Sequence, residues 1–424
     1  MSTTPNAPLL DPARIREMFD LRSNTNVFTG GAYRDDPNPA WHRLRATGPI
    51  HPGTVHALTG FEDDAFFHGL PEPDRQHFSA FSFAACNDAY RDDSTFVSSP
   101  HAADGTQPTQ GIGVLNTMLT MEGAEHRRYR GLVQPSFMPA KARWWMDRWI
   151  TDTVHMLIDQ FVGAGRAELN TDFCAAIPVL TITGSFGFGV DQALDVRSKL
   201  HQPAEFIEMI APIVAARREQ PEDDLISVLV QAEYADDEGV VHRLTDDEIH
   251  SFAILLLLAG SGTTWKQMGI TLAVLLRRPD LLAAVRADRE LVRALIDESV
   301  RWCPTDPMFS RWVARDVDFH GTHLPRGSVL HLCLGAANRD PERWDDPDTF
   351  DISRPPKPTL AFGAGQHMCL GMHVARAEMT VAFNALLDRL PNLRLDPDAE
   401  PPELIGMYER GATELNVLFD EGAS

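Results

Sequence analysis

A single cysteine, Cys369, stands in a glycine-rich stretch that the sequence predicts to lead into a helix. The stretch, residues 362–371, reads FGAGQHMCLG, and residues 372–390 after it are good helix formers that stop at Pro391. Cys369 is therefore expected where a loop meets a helix N-terminus, whose backbone N–H groups and dipole favour an anion. Such a position lowers the pKa of a thiol and suits a metal-bound thiolate.

Two glycines in the same stretch, Gly363 and Gly365, would let the backbone pass close to a flat, bulky group. Taken alone, a lone cysteine in an apolar chain is more often an inert core residue. The joint spacing of Phe, Gly, Gly, His, Cys and Gly instead resembles the haem-binding loop of the cytochrome P450 family, in which the cysteine is the proximal iron ligand. The resemblance implies haem contacts for Phe362, Gly363, Cys369 and Gly371.

A long helix with a weak point in its middle is the second feature. Residues 245–248 read TDDE, a capping-box start, and no strong stop follows before Pro279, which predicts about 32 helical residues spanning about 48 Å. Residues 252–259 are apolar on all sides, so this helix should cross the core. Residues 259–264, AGSGTT, are poor helix material, because glycine costs about 1 kcal/mol relative to alanine and hydroxyls can bond back to carbonyls.

The stretch 259–264 allows two interpretations, a packing kink where another element approaches or a groove over a haem. It resembles the oxygen-binding segment of the cytochrome P450 family. That resemblance implies that Ala259 and Gly260 lie against the haem and that Thr263 donates a hydrogen bond to dioxygen and relays protons.

The family usually carries Asp or Glu just before this threonine, whereas this chain has Gly262. Proton delivery is therefore expected to use neighbouring hydroxyls, ordered water or a substrate group. The catalytic residues expected from the segment are Ser261, Gly262, Thr263 and Thr264.

Four basic side chains are expected to bind the haem propionates. His126 and Arg130 are four residues apart, so they share one face of a predicted helix; a solvated basic face is the alternative. The resemblance assigns these two, with Arg311 and His367, to the propionates, for which nitrogen donors are suitable chemistry. His367 could instead make a local hydrogen bond that shapes the loop.

Glu298 and Arg301 stand three residues apart on another predicted helix. An exposed pair of this kind contributes only about 0.2–0.5 kcal/mol, but its place before the cysteine loop matches the Glu-x-x-Arg core network of the same family. A third arginine normally joins this network from a later segment. Thr349 stands at its usual position, so Arg339 or Arg354 is expected to serve.

The chain has 424 residues and a net charge of −22, which argues against a general affinity for nucleic acid or anionic membrane. No linker or repeat divides it, so one domain over 1–424 is expected, with about the first 15 residues flexible. Five cysteines without CxxC spacing indicate reduced thiols. No signal or membrane segment is predicted near the start, so we expect a cytoplasmic protein of the soluble bacterial type.

Together the motifs predict a mainly α fold with small β-sheets, the cytochrome P450 fold, with haem b between the long central helix and the cysteine-loop helix. The resemblance implies a monooxygenase that inserts one oxygen atom from dioxygen into an apolar small molecule. No flavin or iron–sulfur segment is recognised, so electrons should come from a separate ferredoxin and its reductase, and the enzyme should be monomeric. A peroxide-using or non-oxygenating haem-thiolate enzyme, or a haem-binding sensor without turnover, are the alternatives.

Two surfaces are expected around this centre. A basic cluster on an otherwise acidic chain should face the electron donor; it consists of Arg127, Arg128, Lys141 and Arg143. The substrate pocket should be lined by segments with few charges, which predicts an apolar substrate of steroid, terpene, aromatic or macrolide type. These segments are residues 96–119, 170–210, 259–263, 305–309 and 407–408.

Three expectations concern the scaffold. Residues 54–61 are expected to form a strand, and residues 63–110 lack periodicity and are expected to be irregular. The helical pair that covers the pocket, between residues 189 and 223, is expected to be short.

Overall fold

The computed structural model describes residues 10–21, 29–106, 117–236 and 238–420. Helices form most of its regular structure, and short strands form several small sheets. The predicted fold class, mainly α with small β-sheets, is confirmed.

The helices carry the scaffold around the cysteine loop, and several are joined by single 3₁₀ or π turns. In chain order they are α1 Pro12–Phe19, α2 Asn38–Thr47, α3 Val55–Thr59, α4 Phe83–Arg91, α5 Pro100–Asp104, α6 Gly123–Phe137, α7 Ala142–Trp145, α8 Thr151–Phe161, α9 Ala176–Ser185, α10 Ala193–Lys199, α11 Pro203–Glu219, α12 Leu225–Gln231, α13 Asp246–Gly262, α14 Thr264–Leu276, α15 Pro279–Ala287, α16 Leu291–Trp302, α17 Leu334–Ala337 and α18 Met372–Arg389.

The strands form a five-stranded sheet of order β1-β2-β10-β7-β3, a three-stranded sheet of order β11-β14-β4, and three two-stranded pairs. Only the β2–β10 pairing in the five-stranded sheet is parallel. The strands are β1 Ile50–Pro52, β2 His77–Ala80, β3 Phe96–Val97, β4 Arg166–Glu168, β5 Glu233–Ala235, β6 Val241–Arg243, β7 Met308–Val313, β8 Val317–Phe319, β9 Thr322–Leu324, β10 Val329–Cys333, β11 Arg394–Leu395, β12 Leu404–Ile405, β13 Gly411–Ala412 and β14 Asn416–Leu418.

The predicted central helix is present, but it is divided into α13 and α14 at Thr263. Its start is the expected capping box, in which Thr245 and Glu248 exchange side-chain to backbone hydrogen bonds. The α13 residues from 249 to 257 are buried, as expected for a helix that crosses the core. The Cβ that a larger residue at Gly260 would carry lies 2.8 Å from Cγ1 of Ile182 on α9, so close helix packing requires glycine there.

Two expectations for the first quarter of the chain are wrong. Residues 55–59 form α3 rather than a strand, because Thr54 caps the helix start and Gly60 ends it in the left-handed conformation. Residues 63–106 contain β2, α4, β3 and α5. The helix α4 escaped notice because its buried side is made largely of small residues, which give a weak apolar period.

The predicted helical pair over the pocket is present as α10 and α11. The first of the two is short, with 7 residues, and the second has 17. Both pack against α13, so they place their side chains above the break at Thr263.

The buried ion pair predicted behind the cysteine loop is formed. Arg301 donates from Nε and Nη2 to the two carboxylate oxygens of Glu298, at 2.7 Å each, and both residues are buried. Arg354 donates to the same carboxylate at 3.2 Å, whereas Arg339 donates to a backbone carbonyl of α16. Arg354 is therefore the third arginine of the network, and it ties the segment before the cysteine loop to α16.

Within the described ranges, no single helix is long and apolar enough to cross a membrane. The segments Asn170–Ser185 and Val190–Lys199 meet that length and composition only when taken together, across a bend of 116°.

Candidate functional site

The cysteine loop has the shape that its glycines predicted. The backbone N–H of Cys369 donates to the carbonyl of Phe362 at 2.8 Å and closes the loop, and α18 begins three residues later. Gly363 and Gly365 have φ of +68° and +71°, a region that favours glycine. A Cβ at Gly365 would also collide with the carbonyl oxygen of Tyr90, so α4 holds the loop in place.

The thiol of Cys369 is accessible although the residue lies deep in the protein. Its side chain is solvent-accessible, yet it lies deep enough among protein atoms that burial raises its pKa. The backbone N–H groups of Gly371 and Met372 act in the opposite direction and lower this pKa. A bound metal cation would shift the balance further, because a coordinating thiol loses its proton outright.

Beside the loop, the four side chains predicted to bind carboxylates converge. The rings of His126 and His367 pack against each other with their centroids 4.1 Å apart and their planes tilted by 35°, and Arg130 donates to the carbonyl of Met368 at 2.6 Å. Arg311, on β7, is buried, and its guanidinium lies 4.8 Å from the ring centre of Tyr90. Elements far apart in sequence, α6, β7 and the cysteine loop, thus bring nitrogen donors to one place.

Three ring nitrogens of this donor cluster have no hydrogen-bond partner among the described residues. Both ring nitrogens of buried His126 have no hydrogen-bond partner within the described ranges, and neither does Nε2 of His367. Burial lowers the pKa of His126 to about 4, and the nearby His367 and Arg130 add to the effect. A buried polar atom without a partner is costly, so the cluster fits an anionic group such as the two carboxylates of a haem.

The sequence did not reveal His68, which lies at the same cluster. Burial lowers its pKa to about 3, and the positive charges of Arg311 and His367 add to the effect. Its ring packs 4.8 Å from that of Trp312, and its Nδ1 has no partner within the described ranges. A lone histidine in an irregular segment carries no periodic signal that could have predicted this position.

The acid nearest to the cluster was also missed. Glu122, at the start of α6, accepts hydrogen bonds from the backbone N–H of Ser98 and from Gln366 Nε2, and it lies 3.7 Å from His367 Nε2. Glu122 partly balances the positive charge of the donor cluster and, through its hydrogen bond from Gln366, holds the cysteine loop against the start of α6.

The break between α13 and α14 separates the predicted catalytic residues into two groups. Ala259 is exposed, and Gly262 and Thr263 keep accessible surface. The Thr263 hydroxyl donates to the carbonyl of Ala259 over a long distance of 3.5 Å. This weak bond leaves the hydroxyl available to another acceptor. Ser261 and Thr264, by contrast, are buried, so they point away from the open side.

Ser261 is already fully engaged. Its hydroxyl donates to the carbonyl of Leu257 at 2.5 Å and accepts a short hydrogen bond from Arg197 of α10. Gly262 lies beside the same guanidinium. The sequence pattern gave no indication that an arginine would occupy this place.

Charged side chains lie in and beside the predicted pocket segments. Lys266 of α14 forms an ion pair with Glu409, which follows the pocket segment 407–408. Burial raises the pKa of Asp306, in the segment 305–309, to about 7, and the neighbouring Glu409 adds to the effect. The negative charge of Asp306 also raises the pKa of the Cys369 thiol, so the two side chains lie near each other. Residues 107–116 of the predicted pocket lie outside the described residues.

Comparison with known proteins gives consistent matches. A family model described as Cytochrome P450 matches residues 192–408. The biotin biosynthesis cytochrome P450 of Bacillus subtilis (strain 168) is 29% identical over 413 residues, 91% of this chain and 96% of that protein. Nocardicin C N-oxygenase of Nocardia uniformis subsp. tsuyamanensis is 30% identical over 406 residues, 91% of this chain and 96% of that protein.

Solved structures agree. The crystal structure of P450BioI in complex with an acyl carrier protein ligated to hexadec-9Z-enoic acid has a TM-score of 0.74 and 27% identity, and the match covers 91% of this chain and 99% of that one.

Proposed function

Because the chain belongs to the cytochrome P450 family, whose members are haem-thiolate monooxygenases, we propose that it inserts one oxygen atom from dioxygen into a small organic substrate with an apolar body. The observation that carries the proposal is the position of Cys369, whose thiol is accessible in a loop next to a cluster of nitrogen donors that includes three ring nitrogens without a partner among the described residues. We further propose that the bound group is haem b. When bound, the haem would supply the oxygen-activating chemistry, which thiolate ligation favours.

The chain's own residues would hold and orient this group. Cys369 would ligate the iron, while His126, Arg130, Arg311 and His367 would donate hydrogen bonds to the propionates. Backbone geometry at Gly363 and Gly365 leaves the loop flat enough to lie close to a large ring. The open side of α13, at Ala259 and Thr263, would face the substrate.

The proposal is tested by reconstitution with a ferredoxin, its reductase and NAD(P)H. A panel of steroids, terpenes, aromatic compounds and macrolides is first screened for binding by the change in the haem absorption spectrum. Reaction of the compounds that bind under ¹⁸O₂ should give products that carry one labelled oxygen atom. Unlabelled products, or none from any compound that binds, would contradict the monooxygenase assignment.

A peroxide-using enzyme is the second candidate, and one observation favours it. Gly262 leaves the helix break without a carboxylate beside Thr263, so protons for dioxygen reduction must come from another source. Under this alternative, hydrogen peroxide alone would support product formation, and ferredoxin and NAD(P)H would be dispensable.

Replacing Thr263 by Ala should separate reductant use from product formation. The hydroxyl is weakly bonded in the free protein, so it is available to position a proton donor, and such a donor contributes about a hundredfold or more to rate. We expect product formation to fall by roughly that factor while NAD(P)H consumption falls much less. The measurement is the ratio of product formed to NAD(P)H consumed. Thr263→Ser, which keeps the hydroxyl, should retain most of the coupling; equal coupling in Thr263→Ala and the wild type would remove Thr263 from the mechanism.

The electron donor should dock beside the cysteine loop. Arg127 on α6 and Lys141 just before α7 are exposed basic residues, and α6 and α7 both pack against α18, the helix that follows the loop. Two exposed methionines, Met138 and Met368, accompany them, and charged rims of this kind guide a partner of opposite sign. Arg128 is less suited to variation, because its guanidinium already lies over the ring of Tyr234.

Charge reversal at this face should slow electron transfer. In the double variant Arg127→Glu, Lys141→Glu we expect the rate of reduction by ferredoxin at low salt to fall about tenfold and its salt dependence to weaken. Stopped-flow reduction at several ionic strengths measures both. Arg277→Glu, an equally exposed reversal about 21 Å along the helix axis from the break at Thr263, is the control. Equal rates in the double variant, the control and the wild type would place the docking surface elsewhere.

We also propose that the chain is one cytochrome P450 domain over 1–424 and works as a monomer in the cytoplasm. The net charge of −22 and the five unpaired cysteines support this placement. Sedimentation of the purified holoenzyme tests the oligomeric state.

A further inference from the structure

Arg197 is a half-buried cation beside the helix break. It belongs to α10, and its guanidinium donates to Ser261 Oγ and lies 5.5 Å from the ring centre of Phe19. Burial lowers its pKa, but an arginine stays charged in a protein. A charge that is largely removed from water costs free energy when its neighbours are a hydroxyl and an aromatic ring rather than a carboxylate.

Arg197 has no ion-pair partner in the described part of the chain. Among residues 10–21, 29–106, 117–236 and 238–420, the carboxylate whose charge raises its pKa, Glu409, is bonded to Lys266. Of the acidic side chains, Asp237 and Glu421 lie outside these ranges. The described residues therefore bring a guanidinium to this place without a carboxylate that would neutralise it.

A side chain at position 262 would not crowd the guanidinium. A Cβ added at Gly262 would lie 3.8 Å from Nη2 and 3.9 Å from Nη1 of Arg197, which is ordinary contact, so crowding does not explain the glycine. Gly262, Thr263 and Arg197 all keep accessible surface. An oxygen-bearing group could thus reach the guanidinium from the open side of the break.

The charges around the break favour an anion over a cation. Arg197 and Lys266 are positive, and the carboxylate of Glu409 pairs with Lys266. Burial raises the pKa of Asp306 to about 7, so this carboxyl carries only part of a negative charge near neutral pH. The set is therefore net positive, and it carries its unpaired charge at Arg197.

We propose that Arg197, which the hydroxyl of Ser261 holds in place, binds a carboxylate group of the substrate beside Gly262. This inference rests on the proposed monooxygenase function and names its substrate class: a molecule with an apolar body and one carboxylate. The carboxylate lies beside Thr263, so the bound substrate supplies the acid that the chain lacks there.

The test compares carboxylates with neutral molecules of the same body. The probes are octanoate, dodecanoate, hexadecanoate and phenylacetate, each against its methyl ester, and the dissociation constants are measured on the holoenzyme by calorimetry and by the change in haem absorption. A charge-assisted, buried contact predicts binding of at least one acid about 10- to 100-fold tighter than its ester. No preference for the acid in any pair would overturn the inference.

Matched variants assign the preference to this site. Arg197→Gln should abolish it, and Arg197→Lys should retain part of it because the charge remains. Gly262→Asp should also abolish it, because an internal carboxylate then occupies the guanidinium, whereas Gly262→Asn adds the same bulk without charge and should retain it. A preference that survives both Arg197→Gln and Gly262→Asp would contradict the proposed site.

The proposed monooxygenase function and the carboxylate site can fail independently. If the wild-type protein shows no thiolate–haem spectrum, the monooxygenase function itself is ruled out. A normal thiolate–haem spectrum with acids and esters bound equally would leave that function standing and remove only the carboxylate site.

Discussion

Replacing Glu298 by Ala should lower the free energy of unfolding by about 3–5 kcal/mol, because it leaves the buried guanidinium of Arg301 without its counter-charge. Arg301 makes two 2.7 Å hydrogen bonds to this carboxylate, and Arg354 adds a third contact from the segment before the cysteine loop. The loss should therefore reach the loop as well, and the variant should retain haem poorly. Urea unfolding, followed by far-ultraviolet circular dichroism and by haem absorption, measures both effects.

The chain offers a control of the same type on its surface. Glu233 and Arg243 are 2.8 Å apart, but both side chains are more than half exposed, and pairs of this kind contribute about 0–1 kcal/mol. Glu233→Ala should therefore change the free energy of unfolding very little. If Glu298→Ala cost no more than Glu233→Ala, the Glu298–Arg301 network would not be the framework of the site.

Replacing Glu378 by Gln should change how stability depends on pH. Glu378 lies on α18, directly after the cysteine loop, and is only 3% exposed. Burial raises its pKa to about 8, whereas a glutamate in an unfolded chain titrates near 4.3. Between these values the folded protein holds a proton that the unfolded chain has released, so this group's contribution to stability falls as pH rises.

The slope of this effect is about 1.4 kcal/mol per pH unit within the window and close to zero above it. The Gln variant lacks the titration, so its stability relative to the wild type should increase from pH 5 to pH 8 and then level off. Urea unfolding of both proteins at pH 5, 6, 7, 8 and 9 measures the difference. A difference that is constant across this range would show that Glu378 is not held protonated in the folded state.

Those features that depend on local patterns could be predicted from the sequence. The cysteine loop combines glycines that must adopt positive φ with a helix start, and these are properties of adjacent residues. The capping box at Thr245 and the pair Glu298–Arg301 are likewise local. The family resemblance then supplied partners from other segments, and the structure brings His126, Arg130 and His367 together.

What the sequence could not give is the charge around the helix break. Arg197, Lys266, Asp306 and Glu409 come from four separate segments, and none has a spacing that marks it as part of a site. Each would pass for a surface residue, because charged side chains are seldom buried. Only the structure shows that they share one region, because α10 contacts α13 through Arg197 and the turn that carries Glu409 contacts α14 through Lys266.

The third partner of Glu298 illustrates a smaller gap. Arg339 and Arg354 were equal candidates from the sequence, since both precede the cysteine loop at plausible distances. The structure decides between them because Arg339 donates to the carbonyl of Trp302 and to the carboxylate of Asp348 instead. A choice of this kind depends on side-chain direction, which sequence spacing does not fix.

The central claim is that Cys369 ligates a haem iron as a thiolate, and the carbon monoxide difference spectrum of the dithionite-reduced protein tests it most directly. The account predicts a strongly red-shifted Soret band that disappears in Cys369→Ser and persists in Cys174→Ser, a buried cysteine far from the loop in sequence. A Soret band at the position of an ordinary haem–carbonyl complex in the wild type, or a red-shifted band that survives Cys369→Ser, would contradict it.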